Sequence, residues 1–444
     1  MNTALNTVYH QRRQHLLAQM HAQGGGVALL PTAPEVMRNR DSDYPYRHDS
    51  HFYYLTGFSE PEAWLVLVAG EKDQAILFCR EKNLEREIWD GFRHGPAHAQ
   101  EKFGFDAAYA IEQLGSEMPR LLANQPAVFY ALNSSRDLDH KLQRWLDAVR
   151  AQSRSGVTAP HAAFDLLHLI DEMRLFKDAH EIDIMRRAAQ ISAQAHVRAM
   201  QTAAPGKMEY EIEAELLHEF RRHGSQFPAY GSIVAGGANA CVLHYRGNDA
   251  KLKDGDLLLI DAGCELDSYA SDITRTFPVN GKFSAAQRTL YDIVLAAQAA
   301  AIAATQPSNR FIDPHNAAVN VLAQGLLDTG LLKGSLDEVL ESGSYKQFYM
   351  HRTSHWIGMD VHDVGAYREL NARSEETASR ILQPGMAMTI EPGLYIRPAD
   401  GVPEHFWNIG IRIEDDALLT PTGCEILTSG VPNKADEIEA LMRH

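Results

Sequence analysis

Residues 257–278 read LLLIDAGCELDSYASDITRTFP, and this stretch determines how the chain around it folds. Residues 257–260 are apolar, which is typical of a buried strand, and Asp261 follows them directly. Residues 268–278 alternate between polar and apolar side chains and include Asp272. Two strands joined by a short polar turn predict an antiparallel hairpin. Two acidic residues therefore lie on strands whose other side chains indicate burial.

The register of this hairpin places the two acids together. If residues 265–268 form the loop, Asp261 lies opposite Asp272. Directly opposed residues have Cβ atoms about 4.5–5.5 Å apart, and like charges there destabilise the pair. Such a pair needs a shared proton or a cation, and a divalent metal ion is the simpler solution. For Asp261 taken alone, an aspartate that ends a strand at a turn is the more ordinary interpretation.

The same element occurs a second time. Residues 255–263 and residues 385–393 both contain a glycine, five residues, an acid, one residue and a second glycine. Each copy follows a helical segment, so the repeat predicts a duplicated arrangement of helices and strands in the C-terminal part of the chain.

A second pair of acids follows from the second copy. Residues 388–396 and 407–419 are predicted strands separated by a loop that contains proline and glycine. Glu391 and Glu414 are symmetric about that loop, so a hairpin brings these carboxylates side by side. Any one of these acids could simply lie on the solvent-exposed face of its strand. That interpretation does not account for four acids at matching positions in two hairpins.

An imidazole completes the donor set. The segment HRTSH spans residues 351–355, and its apolar flanks favour extended structure over a helix. No glutamate follows the first histidine, so the HExxH zinc-protease motif is absent. One histidine with four carboxylates is a set of hard ligands that suits Mn²⁺, with Co²⁺ or Zn²⁺ as alternatives, and the number of carboxylates fits two ions.

The amino-acid composition excludes several classes of protein. The chain of 444 residues has 58 acidic and 42 basic side chains, a net charge of −16. This balance argues against binding to nucleic acid or to an anionic membrane. No apolar stretch reaches the roughly 18 residues that a membrane span needs, and the N-terminal residues lack the apolar core of a signal peptide. The four cysteines show no CxxC spacing. We therefore expect a cytoplasmic protein.

Alternating helical and strand patterns predict an α/β domain at the N-terminus. Helices are predicted at residues 11–23 and 138–152, and strands at 27–30, 64–68 and 75–78.

A domain boundary is predicted where the chain enters a long helix. Asp178 and Glu181 have the spacing of a capping box, and a further helix is predicted over residues 209–222. The sequence thus predicts an N-terminal α/β domain at 1–172 and a C-terminal α+β domain at 173–444.

The combined motifs resemble the pita-bread metallopeptidases, and within them the aminopeptidase P group. The matching segments are DSDYPYRHDSHFYYLTGFSEPEAWLVL, EMRLFKDAHEIDIMRRAAQIS, LLLIDAGCELDSYASDITRTFPVNGKF, HWIGMDVHDVG, IEPGLYI and GIRIEDD. The resemblance implies a creatinase-like α/β domain followed by a pita-bread catalytic domain with an internal pseudo-twofold duplication.

The resemblance also implies a ligand set with no member missing. The family pattern of Asp, Asp, His, Glu and Glu falls on Asp261, Asp272, His355, Glu391 and Glu414. By this resemblance Asp272 and Glu414 bridge two Mn²⁺ ions. Asp261 completes the shell of one ion, and His355 and Glu391 that of the other.

Further residues acquire roles from the family pattern only. His244 and His362 resemble the histidines that contact the substrate and the tetrahedral intermediate, and Glu391 resembles a proton shuttle. His351, Arg412 and Tyr395 resemble the group around a proline pocket. Trp89 resembles a tryptophan that a neighbouring subunit supplies in a tetramer, which implies a homo-oligomer, a tetramer or dimer. One departure is Arg352, where bacterial members commonly have glycine; it changes the pocket rim and leaves the ligands unaffected.

The implied activity is removal of the N-terminal residue from peptides with proline in second position, by a hydroxide held between two metal ions. Two alternatives stay open. A prolidase would cleave only Xaa-Pro dipeptides with the same ligands, and a non-catalytic peptide-binding module would retain the fold without turnover. The complete ligand set favours an enzyme.

Overall fold

A computed structural model describes residues 3–369, 372, 374 and 378–443 of the chain. The chain divides into two compact units, Met1–Met173 and Arg174–His444. Across the described residues, none of the helices combines the length and the apolar character that crossing a membrane requires.

The first unit is built on a mixed six-stranded sheet with the strand order β6-β5-β4-β1-β7-β8. The helices that begin in this unit are α1 (Thr3–Ala22), α2 (Ser50–Thr56), α3 (Leu84–Asp90), α4 (Gly95–Phe103), α5 (Leu114–Leu122), α6 (Arg136–Arg150) and α7 (Leu166–Leu175). The strands are β1 (Gly26–Pro31), β2 (Met37–Asn39), β3 (Ser42–Asp43), β4 (Trp64–Ala69), β5 (Gln74–Cys79), β6 (Ala107–Ala110), β7 (Ala127–Tyr130) and β8 (Ala162–Asp165).

Three apolar runs of the sequence form the middle of this sheet. The strands predicted at 27–30, 64–68 and 75–78 are β1, β4 and β5, which confirms those predictions. β4 pairs antiparallel with both of its neighbours, and β1 pairs parallel with β7. The buried faces of α5 and α6 pack on the sheet, and Trp145 lies edge-on to Trp64 with ring centroids 5.7 Å apart. The α/β character of this unit is therefore as predicted.

The second unit combines helices with several short antiparallel sheets. Its helices are α8 (Ala179–Thr202), α9 (Glu209–Arg222), α10 (Ala285–Ala304), α11 (Asp313–Asp328), α12 (Leu336–Ser342) and α13 (Ala435–Leu441). Its strands are β9 (Phe227–Pro228), β10 (Ile233–Gly236), β11 (Leu257–Asp261), β12 (Cys264–Leu266), β13 (Tyr269–Ala270), β14 (Thr274–Pro278), β15 (Ala387–Ile390), β16 (Gly393–Ile396), β17 (Ile409–Arg412), β18 (Asp415–Thr420) and β19 (Gly423–Ile426). The sheets have the orders β10-β11-β14, β13-β12-β9, β15-β18-β19 and β16-β17.

Local signals account for the helices at the start of this unit. The Asp178 side chain accepts hydrogen bonds from the backbone N–H groups of His180 and Glu181, and the Glu181 side chain accepts one from the N–H of Asp178. This reciprocal pair satisfies N–H groups that the first turn of α8 leaves unpaired. The predicted capping box is confirmed, and α9 has the predicted bounds.

The two repeat copies have equivalent backbone roles. Gly255 and Gly385 both have positive φ, 85° and 92°, in the region that glycine enters without steric cost. At the last glycine of each copy, Gly263 and Gly393, an added Cβ would lie 1.7 Å and 2.8 Å from a carbonyl oxygen of the facing strand. The repeated glycines are therefore required by the turn before each central strand and by the close approach after it.

The first hairpin does not have the predicted register. Its turn is the two-residue pair Asp267-Ser268, both with positive φ, so Leu266 pairs with Tyr269. Asp261 consequently lies opposite Thr274 and not opposite Asp272. The prediction centred the loop between Leu266 and Asp267, whereas the turn is centred one residue later, and this moves the pairing by two residues. An even shift keeps both acids on the same face.

The second hairpin has the register that the sequence predicts. Ile390 pairs with Asp415 before the acids, and Gly393 pairs with Arg412 beyond them. These two pairs have the same register, and in that register Glu391 lies opposite Glu414.

Candidate metal centre

The five predicted metal ligands line one cavity of about 380 Å³ in the second unit. Asp261 is the last residue of β11, Glu391 follows β15 directly and Glu414 precedes β18 directly. Strand ends are suitable positions for such groups because the backbone is fixed by the sheet while the side chain reaches the open end. The cavity wall consists of Leu243, His244, Asp261, Asp272, His351, Arg352, Ser354, His355, His362, Glu391, Arg412 and Glu414.

Thr274 joins the two hairpins at this cavity. It pairs with Asp261 on one side and forms a β-bridge with Glu414 on the other. Its hydroxyl donates to Glu414 Oε2 at 2.6 Å. The corrected register therefore places a neutral hydrogen-bonding residue between two carboxylates that would otherwise repel each other.

His355 is held beside the strand that leads to Glu391. The backbone N–H of Glu391 donates to Thr353 O at 2.8 Å, and the N–H of Thr389 donates to His355 O at 2.9 Å. This strand-like pairing agrees with the prediction of extended structure, and the segment 351–355 is not helical. The imidazole Nε2 lies 3.5 Å from Asp272 Oδ2 and 3.8 Å from Glu391 Oε1.

The donor set fits a divalent metal ion. Donor atoms of Asp272, His355 and Glu414 all lie within 4.8 Å of one another. His355 Nδ1 donates to the carbonyl oxygen of Trp356 at 2.9 Å, which leaves Nε2 free to face the carboxylates. Metal-binding histidines commonly use a backbone carbonyl in this way to fix the tautomer and the ring orientation.

The pKa values of the cavity residues are shifted because several acidic side chains are buried close together. Burial raises the pKa of Glu391 to about 7, although His355 and Arg412 oppose the shift. Burial, with Asp272 and Glu391 nearby, raises the pKa of Glu414 well above its usual range. For His355, burial acts to lower the pKa, but the contacts with Asp272 and Glu391 raise it to about 9. In the metal-free cavity, Glu391, Glu414 and His355 keep their protons because the grouped carboxylates lack a positive charge to balance them. A divalent metal ion would supply that charge.

Tyr230 is a contact that the sequence did not reveal. Its hydroxyl lies 2.6 Å from Asp261 Oδ1 and 2.5 Å from Asp272 Oδ1. The hydroxyl has one proton, so it donates to one of these carboxylates at a time. Tyr230 lies 31 residues before Asp261, in a segment without any motif. Thr274, by contrast, was recognisable from the alternation that places it on the face of Asp272.

We expect Tyr230→Phe to destabilise the metal-free protein by about 2 kcal/mol, because two buried carboxylates lose a donor. With Mn²⁺ bound the loss should be smaller, since the cation then balances the charge. Denaturant unfolding in chelator and in Mn²⁺ measures the difference, with Tyr210→Phe at an exposed tyrosine as the matched control. Equal losses in both conditions would contradict this role of the hydroxyl.

Three residues of the predicted proline-pocket group form a hydrogen-bonded chain. Arg412 donates to Asp261 Oδ2 at 2.6 Å and to the Tyr395 hydroxyl at 2.9 Å. Tyr395 is buried and contacts His351 Nε2 at 2.9 Å, while His351 Nδ1 donates to the backbone of Arg352. Burial lowers the pKa of His351 to about 3, so the ring is neutral and accepts the proton of Tyr395.

The remaining predicted residues lie in two different places. His244 and His362 both line the cavity, and the ring of His362 lies 4.2 Å from the ring of His355. Trp89 belongs to α3 of the first unit, where its side chain is 80% exposed. Leu84, Ile88 and Phe92, in and just after the same helix, are exposed as well.

The chain is similar in sequence to known metallopeptidases. Residues 183–421 match the model of metallopeptidase family M24, and residues 9–130 match the aminopeptidase P N-terminal domain. The chain is 46% identical over 436 residues to an Xaa-Pro aminopeptidase of Escherichia coli, covering 98% of this chain and 97% of the relative. It is 44% identical over 435 residues to an Xaa-Pro aminopeptidase of Haemophilus influenzae, covering 98% and 96%.

Solved structures extend the similarity to the fold. The aminopeptidase PepP of Pseudomonas aeruginosa superposes with a TM-score of 0.95 at 49% identity, covering 98% of both chains. A zinc-substituted aminopeptidase P of Escherichia coli in complex with product superposes with a TM-score of 0.94 at 45% identity, again over 98% of both chains. These matches confirm the predicted fold, a creatinase-like α/β domain and a pita-bread domain, and with it the prediction of a metal-dependent hydrolase. The chain belongs to metallopeptidase family M24.

Proposed function

We propose that the chain is an Xaa-Pro aminopeptidase, which releases the N-terminal residue from peptides with proline in second position. The observation that carries this proposal is the shared cavity, in which the carboxylate and imidazole donors lie beside the His351–Tyr395–Arg412 chain. The names of the relatives, two of them Xaa-Pro aminopeptidases at 44–46% identity, support it.

Two ions per subunit are proposed for the donor set. Asp261, Asp272, His355, Glu391 and Glu414, which line one cavity, would hold them. Oxygen-rich ligands with one imidazole favour Mn²⁺, with Co²⁺ or Zn²⁺ as alternatives. When bound, such ions supply an activated water nucleophile and a Lewis acid for the scissile carbonyl.

The side chains around the donors would orient the peptide and move a proton. His244 and His362 line the cavity beside His355 and would donate hydrogen bonds to the oxygen that becomes negative at the scissile carbonyl. Glu391 lines the same cavity and would accept the proton that the attacking water loses. It would then pass that proton from a carboxyl oxygen to the leaving nitrogen.

Selectivity for proline would follow from the absence of an N–H group at the scissile bond. The nitrogen of an Xaa-Pro bond has no N–H, so a pocket needs no acceptor at that atom. The neutral His351 ring, fixed by Tyr395 and by the backbone of Arg352, presents a flat surface for the pyrrolidine ring. Arg412 fixes Tyr395 from the other side.

The exposed apolar side chains of the first unit bear on assembly. We propose a homo-oligomer, a tetramer or dimer, in which Trp89 and the exposed apolar residues near it in sequence are covered and Trp89 closes the pocket of a neighbouring subunit. The two proposed domains, 1–172 and 173–444, correspond to the N-terminal and catalytic parts. The excess of acidic residues supports a cytoplasmic protein that binds peptides and not nucleic acid.

The test is Mn²⁺-dependent release of the N-terminal residue from an Xaa-Pro-Yaa tripeptide. An Xaa-Pro dipeptide and an Xaa-Ala-Yaa tripeptide run in parallel. We expect cleavage of the Xaa-Pro-Yaa tripeptide and little or none of the alanine peptide. Cleavage of the dipeptide alone would reassign the protein as a prolidase. Absence of any cleavage with metal bound would favour a peptide-binding module.

A further inference from the structure

A second cavity of about 500 Å³ lies next to the metal centre in the second unit. Arg352 and Ser354 line both cavities, so the two spaces adjoin along this segment. The described residues that line the second cavity are Phe311, Ile312, His315, Arg352, Thr353, Ser354, Tyr367, Arg368, Ala378 and Ser379. No role in the activity proposed above accounts for this space.

One side of the second cavity is an aromatic wall formed by Phe311 and Tyr367, whose rings lie 4.9 Å apart. The buried ring of Trp356 packs against Phe311 at 4.5 Å. The Tyr367 hydroxyl accepts the backbone N–H of Trp356 at 3.1 Å. The polar group of Tyr367 is therefore satisfied within the protein, and the rings offer an apolar surface for a ligand.

Arg352 is the cation at the junction of the two cavities. Its side chain is exposed, and its guanidinium makes no hydrogen bond or ion pair with the residues that the structure describes. His315 does not share this charge, because burial, with Arg352 and Lys346 contributing, lowers its pKa to about 4. A guanidinium presents several donors in a planar fork that matches a carboxylate.

We propose that Arg352 and the second cavity form a subsite for the residue that follows proline in the substrate. The Arg352 guanidinium binds the C-terminal carboxylate of an Xaa-Pro-Yaa tripeptide, and an apolar Yaa side chain packs on the aromatic wall. This inference rests on the proposed function, and it adds a preference for short peptides with a free carboxylate and an apolar third residue.

The geometry of an extended peptide supports the assignment. The proline ring is proposed to lie on His351, and Arg352 is the next residue along the chain, with its Cα about 3.8 Å further on. One extended residue also advances by about 3.3–3.6 Å. In the proposed binding mode the peptide continues from His351 towards the second cavity, so the residue after proline lies beside Arg352, which lines both cavities.

The experiment compares kcat/KM for Xaa-Pro-Leu with a free carboxylate and for the same tripeptide as the C-terminal amide, at pH 8 with Mn²⁺. For the wild type we expect kcat/KM to be about three- to tenfold higher for the acid than for the amide. This is the size of effect expected for a partly solvated ion pair between Arg352 and the peptide carboxylate. In Arg352→Gln the acid-to-amide ratio should fall towards one, and Arg352→Lys should retain part of it. Added salt should reduce the ratio in the wild type, because the pair is exposed.

The control variant is Lys346→Gln, which removes a neighbouring positive charge that lines neither cavity. It should leave the acid-to-amide ratio unchanged. Replacing Leu by Gly in the substrate should lower kcat/KM several-fold, because contact with the aromatic wall is lost.

Different outcomes separate the subsite from the proposed function. A wild-type ratio of one, or a ratio that survives in Arg352→Gln, would overturn the subsite while tripeptide cleavage upholds the activity. If neither the acid nor the amide is cleaved, the proposed function fails and the subsite with it. Thermal unfolding of each variant checks the fold, which an exposed side chain without partners should not affect.

Discussion

Asp272→Asn is expected to abolish divalent-ion binding and peptide hydrolysis together. One carboxylate oxygen of Asp272 faces His355 Nε2 at 3.5 Å, and the other contacts the Tyr230 hydroxyl. An amide has no charge and one acceptor oxygen, and its NH₂ group would point donors at a ligand position. We expect Mn²⁺ affinity to fall at least about a hundredfold and turnover by about a thousandfold or more, which corresponds to about 4 kcal/mol. Calorimetric titration with Mn²⁺ and the tripeptide assay measure the two effects.

The matched control for this substitution lies on the same hairpin. Asp267 is exposed at the turn, where its backbone has positive φ, a conformation that asparagine also tolerates. Asp267→Asn makes the same chemical change outside the cavity and should leave Mn²⁺ affinity and turnover unchanged. Full activity in Asp272→Asn would disprove the proposed metal centre. Equal losses in both variants would instead indicate damage to the hairpin.

Burial patterns were sufficient to predict which strands carry the acids, but not how the first hairpin pairs. The turn Asp267-Ser268 requires positive φ at two residues that are not glycine, and a sequence rule based on glycine does not select it. The predicted loop was therefore centred one residue too early, and the register was wrong by two residues. The faces were nevertheless right, because side chains alternate with a period of two. The second hairpin was predicted correctly, since Glu391 and Glu414 are symmetric about a loop with clear turn residues.

Contacts between distant segments could not be predicted from the sequence. Tyr230 reaches Asp261 and Asp272 from a segment without a repeating pattern. The aromatic wall unites Phe311 with Tyr367, and no local periodicity relates these two residues. Sequence spacing predicts which side chains lie next to each other on one helix or strand. The lining of a cavity depends on how separate helices and strands pack, which the spacing does not give.

Metal affinity should rise steeply with pH, because protons and metal ions compete for the same atoms. In the metal-free protein the pKa of Glu391 is raised to about 7 and that of His355 to about 9. Both groups therefore bind protons at pH 6 that a metal ion must displace. Each displaced proton contributes about tenfold in affinity per pH unit below its pKa. From these two groups we expect a gain of about fiftyfold between pH 6 and 7 and a smaller slope from pH 7 to 8.5, where Glu391 is increasingly ionised.

Calorimetric titration with Mn²⁺ in buffers of different ionisation enthalpy measures the protons released. Glu391→Gln removes one titrating group, so it should reduce the release at pH 6 by about one proton as well as weakening binding. An affinity that does not change with pH, or binding without proton release, would mean that these side chains are not the ligands.

The same shifts set the stability of the metal-free protein. Glu391 has a folded pKa above its unfolded value of about 4.3, so the folded state binds the extra proton and loses stability as pH rises towards 7. His355, also raised, stabilises the fold below its unfolded pKa of about 6.5, and this contribution is lost as pH rises through about 9. Both terms destabilise the metal-free protein in the range where Mn²⁺ binds most tightly. The difference in Tm between metal-loaded and chelated protein should therefore widen from pH 6 to 8.5, and a constant difference would refute the competition between protons and metal at these residues.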